Sequence, residues 1–254
     1  METILQTNKL SKSFSSGGNQ QHVLRNVDME IYAQDFTVIM GASGSGKSTL
    51  LYAISGMDKP SLGTVTYRGD TELNISDLTQ DELAVFRSKN CGFVFQQIYL
   101  VDSMSILDNI LLSGLLVNKD KRKVTEEAKN LLTSMGINES MWGKFPSQIS
   151  GGEAQRVGMA RAVITTPKVL FADEPTGALN SQNSKMVLDI LMELNNQGQS
   201  IVMVTHDMSS ALRANRILYL QDGQIIGELK LEKYTASNEH RKKKVKDFLA
   251  DFGW

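Results

Sequence analysis

The sequence predicts an α/β fold with a mostly parallel sheet, and two features of its hydrophobic pattern carry that prediction. Short apolar segments, typical of strands buried on both faces, occur at Phe36–Met40, Lys168–Asp173 and Ser200–His206. Apolar residues recur at helical spacing after Gly46 and within residues 184–194. Because strands and helices alternate in this way, we expect parallel strands joined by helical crossovers.

The segments between these elements predict further structure at both ends of the core. Residues Thr3–Leu10 and Val23–Ile31 resemble strands and are separated by a polar loop at Ser15–Gln20. Residues 102–117 and 122–135 carry two helical patterns with no strand between them. The simplest interpretation of that middle region is a helical insertion in the α/β core.

Composition is ordinary for a globular protein. The 254 residues are 22% charged and 41% hydrophobic with a formal net charge of −1, which excludes disorder as the main state and a general nucleic-acid binder. The most hydrophobic segment, Ile110–Val117, is about half the length that spans a bilayer, and the N-terminus lacks the pattern of a signal peptide. We therefore expect a cytoplasmic chain, and the single cysteine, Cys91, fits a reducing compartment.

Residues 230–254 form a predicted basic extension. The segment holds seven basic and four acidic residues, and Val245, Phe248, Leu249 and Phe252 fall on one face of a helix. Either this stripe and the neighbouring lysines meet anionic lipid headgroups, or the stripe packs on its own chain or a second copy and the lysines are simply solvated.

The segment GASGSGKS (Gly41–Ser48) fits the phosphate-binding pattern G-x-x-x-x-G-K-[ST] and stands between a predicted buried strand and a helix. Its glycines let backbone N–H groups turn toward phosphate oxygens, and the helix N-terminus adds its dipole. We expect Lys47 to reach the β- and γ-phosphates and the Ser48 hydroxyl to bind Mg²⁺. The predicted nucleotide-binding residues here are Gly41, Ser43, Gly44, Ser45, Gly46, Lys47, Ser48 and Thr49.

The segment KVLFADEP places two acids at the end of an apolar strand. At the carboxyl edge of a parallel sheet, Asp173 can hold Mg²⁺ through water, and Glu174 can polarise an attacking water. The alternative for such a pair is a solvated turn, which the phosphate loop in the same chain makes less attractive.

The segment ISGGEAQRV (Ile149–Val157) resembles the signature motif of the ATP-binding cassette (ABC) ATPases. Gln96 in CGFVFQQ resembles the glutamine of the family's Q-loop, and His206 in VMVTHD resembles its switch histidine. These motifs follow one another in the family's order, and the resemblance covers roughly residues 3–229.

The resemblance implies a P-loop NTPase (RecA-like) core with a mostly parallel sheet, an N-terminal antiparallel β subdomain and an inserted α-helical subdomain. It places the nucleotide-binding domain at residues 1–229, with the helical subdomain at roughly residues 97–160 and the extension after it. It also implies a head-to-tail dimer, in which each of two ATP molecules lies between one copy's phosphate loop and the other copy's signature motif. The signature residues are Ser150, Gly151, Gly152 and Glu153.

The family further implies roles for individual residues in an ATPase that uses ATP and Mg²⁺. Glu174 corresponds to the general base, His206 contacts the γ-phosphate, and Gln96 links the nucleotide state to a partner. Ser48, Gln96 and Asp173 correspond to the metal-binding residues.

Three positions depart from the family's usual residues. Phe14 stands where a tyrosine usually stacks on adenine, although a phenylalanine there can instead belong to the core or a sheet edge. Glu153 replaces a glutamine. Asn180, in the loop that links the two ATP sites, replaces an aspartate and drops its charge, which either alters coupling between the sites or is simply tolerated.

The segments MGASGSGKST and FADEPTGAL resemble the branch that serves macrolide export, lipoprotein release and antimicrobial-peptide resistance, with bacitracin- and lantibiotic-resistance ATPases the most similar. This resemblance implies a translocase subunit at the cytoplasmic face of the membrane, held there by a separate integral membrane permease. Alternatives are a lipoprotein-release, macrolide-export or cell-division complex and, less well supported, a soluble assembly ATPase. The apolar cluster after Gln96 either receives a helix of the permease or belongs to the subdomain core; it comprises Tyr99, Leu100, Val101 and Met104.

Overall fold

The structure is a computed structural model that describes residues 2–69, 71–234 and 239–253. The chain folds into two compact units, one made of residues 1–79 and 200–254 and the other of residues 80–199. The predicted helical subdomain, residues 97–160, lies within the second unit. Residues 235–238 of the predicted extension lie outside the described residues.

The secondary structure alternates as the sequence predicts. The strands are β1 (Thr3–Ser16), β2 (Asn19–Tyr32), β3 (Phe36–Met40), β4 (Leu62–Tyr67), β5 (Leu73–Asn74), β6 (Cys91–Phe95), β7 (Val169–Asp173), β8 (Ser200–Val204), β9 (Arg216–Gln221) and β10 (Gln224–Lys230). The α-helices are α1 (Lys47–Ile54), α2 (Gln80–Asn90), α3 (Ile106–Val117), α4 (Lys121–Ser134), α5 (Gly151–Val163), α6 (Ser181–Asn196), α7 (Met208–Ala211) and α8 (Glu239–Ala250).

The first unit contains two sheets. One is antiparallel, with strand order β2-β1-β4-β5, and it matches the predicted N-terminal β subdomain. In the other, β3 lies between β8 and β9 and runs parallel to both, while β10 pairs antiparallel with β9. All residues of β3 and β8 are buried, as expected for strands covered on both faces.

The second unit packs its helices around a parallel pair of strands. The register of β6 and β7 runs from Cys91 opposite Val169 to Phe95 opposite Asp173, so both strands end at the same edge. Helices α3 and α4 follow each other without an intervening strand, which confirms the predicted helical insertion. Helix α3 begins four residues later than the pattern suggested because Ser105 is extended and its hydroxyl caps the helix by accepting from the Asp108 N–H.

Helix α3 contains the whole apolar segment Ile110–Val117. It is 12 residues long, and among the described residues no helix combines the length and the apolar character needed to cross a bilayer. Ile110 is buried, whereas Leu112 and Leu116 are exposed on the surface of the helix. The amphipathic pattern of α3 is therefore that of a helix packed on one face.

Helix α8 shows where the apolar stripe of the extension lies. Val245 and Leu249 are buried, and the Phe252 ring stacks on Tyr219 of β9 at a centroid distance of 4.4 Å. Residues 242–244 are exposed lysines. The stripe thus packs on its own chain and the lysines are solvated, which supports the second interpretation of the extension.

The contact between the extension and β10 depends on the absence of a side chain at Gly227. A Cβ at this position would clash with the Phe252 ring and lie 3.2 Å from Phe248. We expect Gly227→Val to displace that ring and lower the free energy of unfolding by about 1–3 kcal/mol. Thermal unfolding measures this loss, with the neighbouring exposed Ile226→Thr as the control; equal stability of the two variants would contradict the packing described here.

Candidate functional site

The phosphate loop fills the connection from β3 to α1. Gly44 (φ 80°) and Gly46 (φ 102°) have left-handed backbones, and Gly46 is the residue that precedes the first turn of the helix. A Cβ at Gly41 would clash with the carbonyl oxygen of Leu220 in β9. The backbone conformation and packing of the loop therefore require glycine at these positions. The loop leads into the N-terminus of α1, where backbone N–H groups are available to bind an anion.

Two side chains inside this loop fit an anionic group. The Lys47 ammonium is buried and donates to the carbonyl oxygens of Gly41 and Ala42, both at 2.8 Å. The Ser45 hydroxyl is buried and makes no hydrogen bond to any described residue. A Cβ built at Gly44 would meet no atom within 4 Å outside the adjoining residues, so the loop has open space at this position. A phosphate group bound in the loop could accept a hydrogen bond from the orphaned Ser45 hydroxyl and a charge-assisted one from the Lys47 ammonium.

Phe14 lies on β1 of the same unit. Its side chain is 45% exposed, which excludes the interpretation as a core residue. The Lys12 ammonium sits 5.0 Å from the ring centroid and is itself held by Asp58 at 2.7 Å. An exposed aromatic ring of this kind can stack on a flat ligand, and adenine stacking by Phe14 stays a prediction.

His206 and the phosphate loop follow the ends of two neighbouring strands, at the same edge of the sheet. β3 and β8 are parallel and pair Ile39 with Val204, so His206 follows β8 just as the loop follows β3. The His206 side chain is exposed. The next residue, Asp207, caps α7 by accepting from Ser209 and Ser210; burial raises the pKa of Asp207, but these hydrogen bonds outweigh it and hold the pKa below its ordinary value.

In the second unit, three predicted site residues meet at one edge. Phe95 ends β6 and lies opposite Asp173, which ends β7. Gln96 and Glu174 therefore follow the two strands at the same edge. A Cβ at Gly177 would lie 2.9 Å from the Gln96 Nε2, so the Gln96 amide contacts the segment that follows Glu174. Glu174 has a left-handed backbone with φ 45°, which sets the sharp turn after β7.

The signature residues form the start of α5. The Ser150 hydroxyl accepts from the Glu153 N–H at 3.3 Å, and the Glu153 carboxylate accepts from both the N–H and the hydroxyl of Ser150 at 2.7 Å. These bonds from Ser150 lower the pKa of Glu153. A carboxylate is favourable at a helix N-terminus, so this departure from the family's glutamine yields a charged capping box.

Asn180 caps α6, next to the signature helix. Its side-chain oxygen accepts from the Asn183 N–H at 2.9 Å. The Asn183 amide in turn packs against Gly152, where any Cβ would clash with it. Asparagine and aspartate cap helices about equally well, so capping alone does not explain the loss of charge at Asn180.

Sequence reasoning missed Gln155, a buried residue just beyond the signature residues. Its Nε2 donates to the carbonyl oxygens of Phe95 at 3.0 Å and Pro175 at 2.9 Å. These acceptors adjoin Gln96 and Glu174, respectively. The sequence does not single out Gln155, because the neighbouring polar residue Arg156 is buried on the same helix as well.

The structure therefore groups the predicted site residues into two sets. Within the first unit, the phosphate loop and His206 share one sheet edge. Within the second, the Gln96, Asp173 and Glu174 edge is tied to the helix that carries the signature residues.

Comparisons with known proteins agree with this arrangement. The sequence profile of the ABC transporter family matches residues 24–177. The chain is 40% identical over 227 residues to the bacitracin export ATP-binding protein BceA of Halalkalibacterium halodurans, covering 89% of this chain and 88% of that protein. It is 39% identical over 222 residues to the macrolide export ATP-binding/permease protein MacB of Wolinella succinogenes, covering 87% of this chain but spanning only 34% of MacB.

The fold also matches a solved cassette. The ATP-binding cassette MJ0796, in a dimeric post-hydrolysis state bound to ADP and Pi, is 35% identical and has a TM-score of 0.80, covering 91% of this chain and 100% of that one. The chain thus belongs to the ABC transporter family, as an ATP-binding cassette with ATPase activity.

Proposed function

We propose that this chain is the nucleotide-binding subunit that dimerises around two ATP molecules and drives a separate membrane permease. The observation that carries the proposal is the phosphate loop itself, which holds the buried Lys47 ammonium, the orphaned Ser45 hydroxyl and open space at Gly44. Similarity to BceA over nearly its whole length supports the role as a separate ATP-binding protein.

The position of the signature residues supports the proposed dimerisation. Ser150 and Gly151 are exposed at the N-terminus of a 13-residue helix, where they can meet a phosphate held by a second copy. The dimeric form of the MJ0796 cassette, bound to ADP and Pi, supports the same assembly. In the proposed dimer, each ATP lies between one copy's phosphate loop and the other copy's Ser150–Gly152 segment.

Glu174 acts in this proposal as the general base, and His206 contacts the γ-phosphate. Ser48, Gln96 and Asp173 would hold Mg²⁺, because hydroxyl, amide and carboxylate oxygens are the ligands that this ion prefers. When bound, the ion neutralises charge that develops on the phosphates. Phe14 stacks on the adenine ring.

The permease contact is proposed at the apolar cluster after Gln96. Tyr99 is 64% exposed and Val101 is 36% exposed, so this cluster offers apolar surface next to a residue of the nucleotide site. A helix of the permease docked there would sense the position of Gln96. The chain would then lie at the cytoplasmic face of the membrane, peripheral through the permease.

For the transported class we propose peptide antibiotics of the bacitracin or lantibiotic type, on the strength of the similarity to BceA. The similarity to MacB favours a second candidate, the ATPase of a macrolide-export complex.

Deleting the gene for this chain in its native host tests the two candidates. We expect increased sensitivity to bacitracin or a lantibiotic, restored by the wild-type chain and not by Glu174→Gln. Increased sensitivity to macrolides alone, with unchanged peptide sensitivity, would replace the first candidate by the second.

A further inference from the structure

The amide of Gln155 joins three segments of the second unit. It lies on α5, is 2% exposed, and donates one hydrogen bond to the carbonyl of Phe95 and another to that of Pro175. The first acceptor ends β6 immediately before Gln96, and the second follows Glu174. Both N–H groups of a single side chain are thus used by backbone atoms 60 and 20 residues away in sequence.

Gln155 is connected to the signature residues through one turn of the same helix. Gln155 lies five residues after Ser150, about 7.5 Å along a helix that rises 1.5 Å per residue. The capping box of Ser150 and Glu153 fixes the start of that helix. A small displacement of the helix start is therefore transmitted to the Gln155 amide rather than absorbed between them, because the intervening turn is hydrogen-bonded.

We infer that Gln155 is a positioning residue that couples the two ATP sites of the dimer, an inference that rests on the proposed function. The signature residues of one copy touch the ATP held by the other copy, whereas Gln96 and Glu174 serve the ATP of their own copy. Gln155 connects these two groups within one chain. Binding of the signature residues to the partner copy's ATP therefore fixes the positions of Gln96 and Glu174 at the chain's own ATP.

The chemistry of the link explains why it needs an amide. Two carbonyl acceptors require two N–H donors at one point, which glutamine supplies and a carboxylate or thioether does not. Asparagine is one methylene shorter and cannot reach both acceptors from the same backbone position. Methionine has about the length of glutamine and a slightly larger volume, but it leaves both carbonyls without this donor.

The test uses the full chain and compares Gln155→Met with a matched variant. Gln199 also donates through Nε2 to two backbone carbonyls, those of Pro167 at 3.0 Å and Lys168 at 3.4 Å, just before β7 begins and thus at its opposite end. Gln199→Met therefore removes a similar amide far from the strand ends that Gln155 holds. Steady-state ATP hydrolysis, ATP affinity and thermal stability are measured for both variants and the wild type.

We expect Gln155→Met to lower kcat about 10- to 100-fold, to change the ATP Kd by less than about twofold, and to reduce the Hill coefficient from about 2 toward 1. Gln199→Met, at a half-buried side chain, is expected to lower Tm by no more than Gln155→Met does and to leave kcat and the Hill coefficient unchanged. If Gln155→Met loses Tm like the control but keeps the wild-type kcat and Hill coefficient, its role is structural only and the inference is overturned.

Two further readouts separate this inference from the proposed function. Wild-type hydrolysis that Glu174→Gln removes establishes the ATPase in the same assay, whereas an inactive wild type overturns the proposed function. Hydrogen exchange of the nucleotide-free chain tests Gln155 without activity: faster exchange in residues 96–99 and 174–178 of Gln155→Met supports positioning. Exchange unchanged in both segments contradicts it.

Discussion

Replacing Glu174 by glutamine is expected to slow ATP hydrolysis by about a hundredfold or more while leaving ATP binding intact. Glutamine has nearly the same shape but cannot accept the proton of an attacking water. Glu174 follows β7 on a left-handed backbone that is anchored by the Gln155 bond to Pro175, so the substitution leaves the turn in place. ATP that binds is then not consumed, and the dimer should persist.

Single-turnover hydrolysis and analytical ultracentrifugation with ATP measure the two effects of Glu174→Gln. Glu193→Gln, an exposed residue on α6 of the same unit, is the matched control and should hydrolyse ATP at the wild-type rate. A Glu174→Gln variant that stays monomeric at saturating ATP and turns over normally would remove Glu174 from the role of base.

Replacing Lys47 by alanine is expected to raise the ATP Kd by about a hundredfold or more. The ammonium is the one buried cation placed within the phosphate loop, and two charge-assisted bonds to phosphate oxygens are worth a few kcal/mol together. Its two bonds to the carbonyls of Gly41 and Ala42 show that the side chain already lies across the loop. Binding of a fluorescent ATP analogue measures the change.

The matched control for Lys47→Ala is Lys242→Ala, because Lys242 is exposed on α8 of the same unit. That variant should bind nucleotide like the wild type. If Lys47→Ala retains the wild-type affinity, the loop is not the phosphate site and the assignment of Gly41–Thr49 fails with it.

The local hydrophobic pattern of the sequence was sufficient to predict most of the strands and helices. The continuous apolar runs at β3 and β8 predicted strands buried on both faces, and both are fully buried. The polar segment Ser15–Gln20 predicted a loop between two strands. Strands β1 and β2 extend into this segment, because Gly17 and Gly18 take left-handed backbones and close a tight turn. Such a boundary depends on two backbone conformations, which the hydrophobic pattern does not encode.

Contacts between distant segments were not predictable from the sequence. The sequence pattern predicted the apolar stripe of α8 but not what covers it. The stripe packs on its own chain because Phe252 stacks on Tyr219 and because Gly227 has no side chain to block the ring. Gln155 and Asn183 were missed for the same reason, since their partners are backbone or glycine atoms remote in sequence. Motifs identify residues that touch a ligand, whereas the residues that position them follow from the fold.

The central claim, that this cassette drives a membrane permease, is tested most directly by purifying tagged Glu174→Gln with ATP from detergent-solubilised membranes and identifying the protein that copurifies. The account predicts an integral membrane permease in stoichiometric amount, and a many-helix permease with a large extracellular domain would point to peptide-antibiotic resistance. Its capture should be lost when Tyr99 and Val101 are changed to aspartate. Recovery of the ATP-bound dimer with no membrane protein would contradict the transport role and leave only the ATPase chemistry.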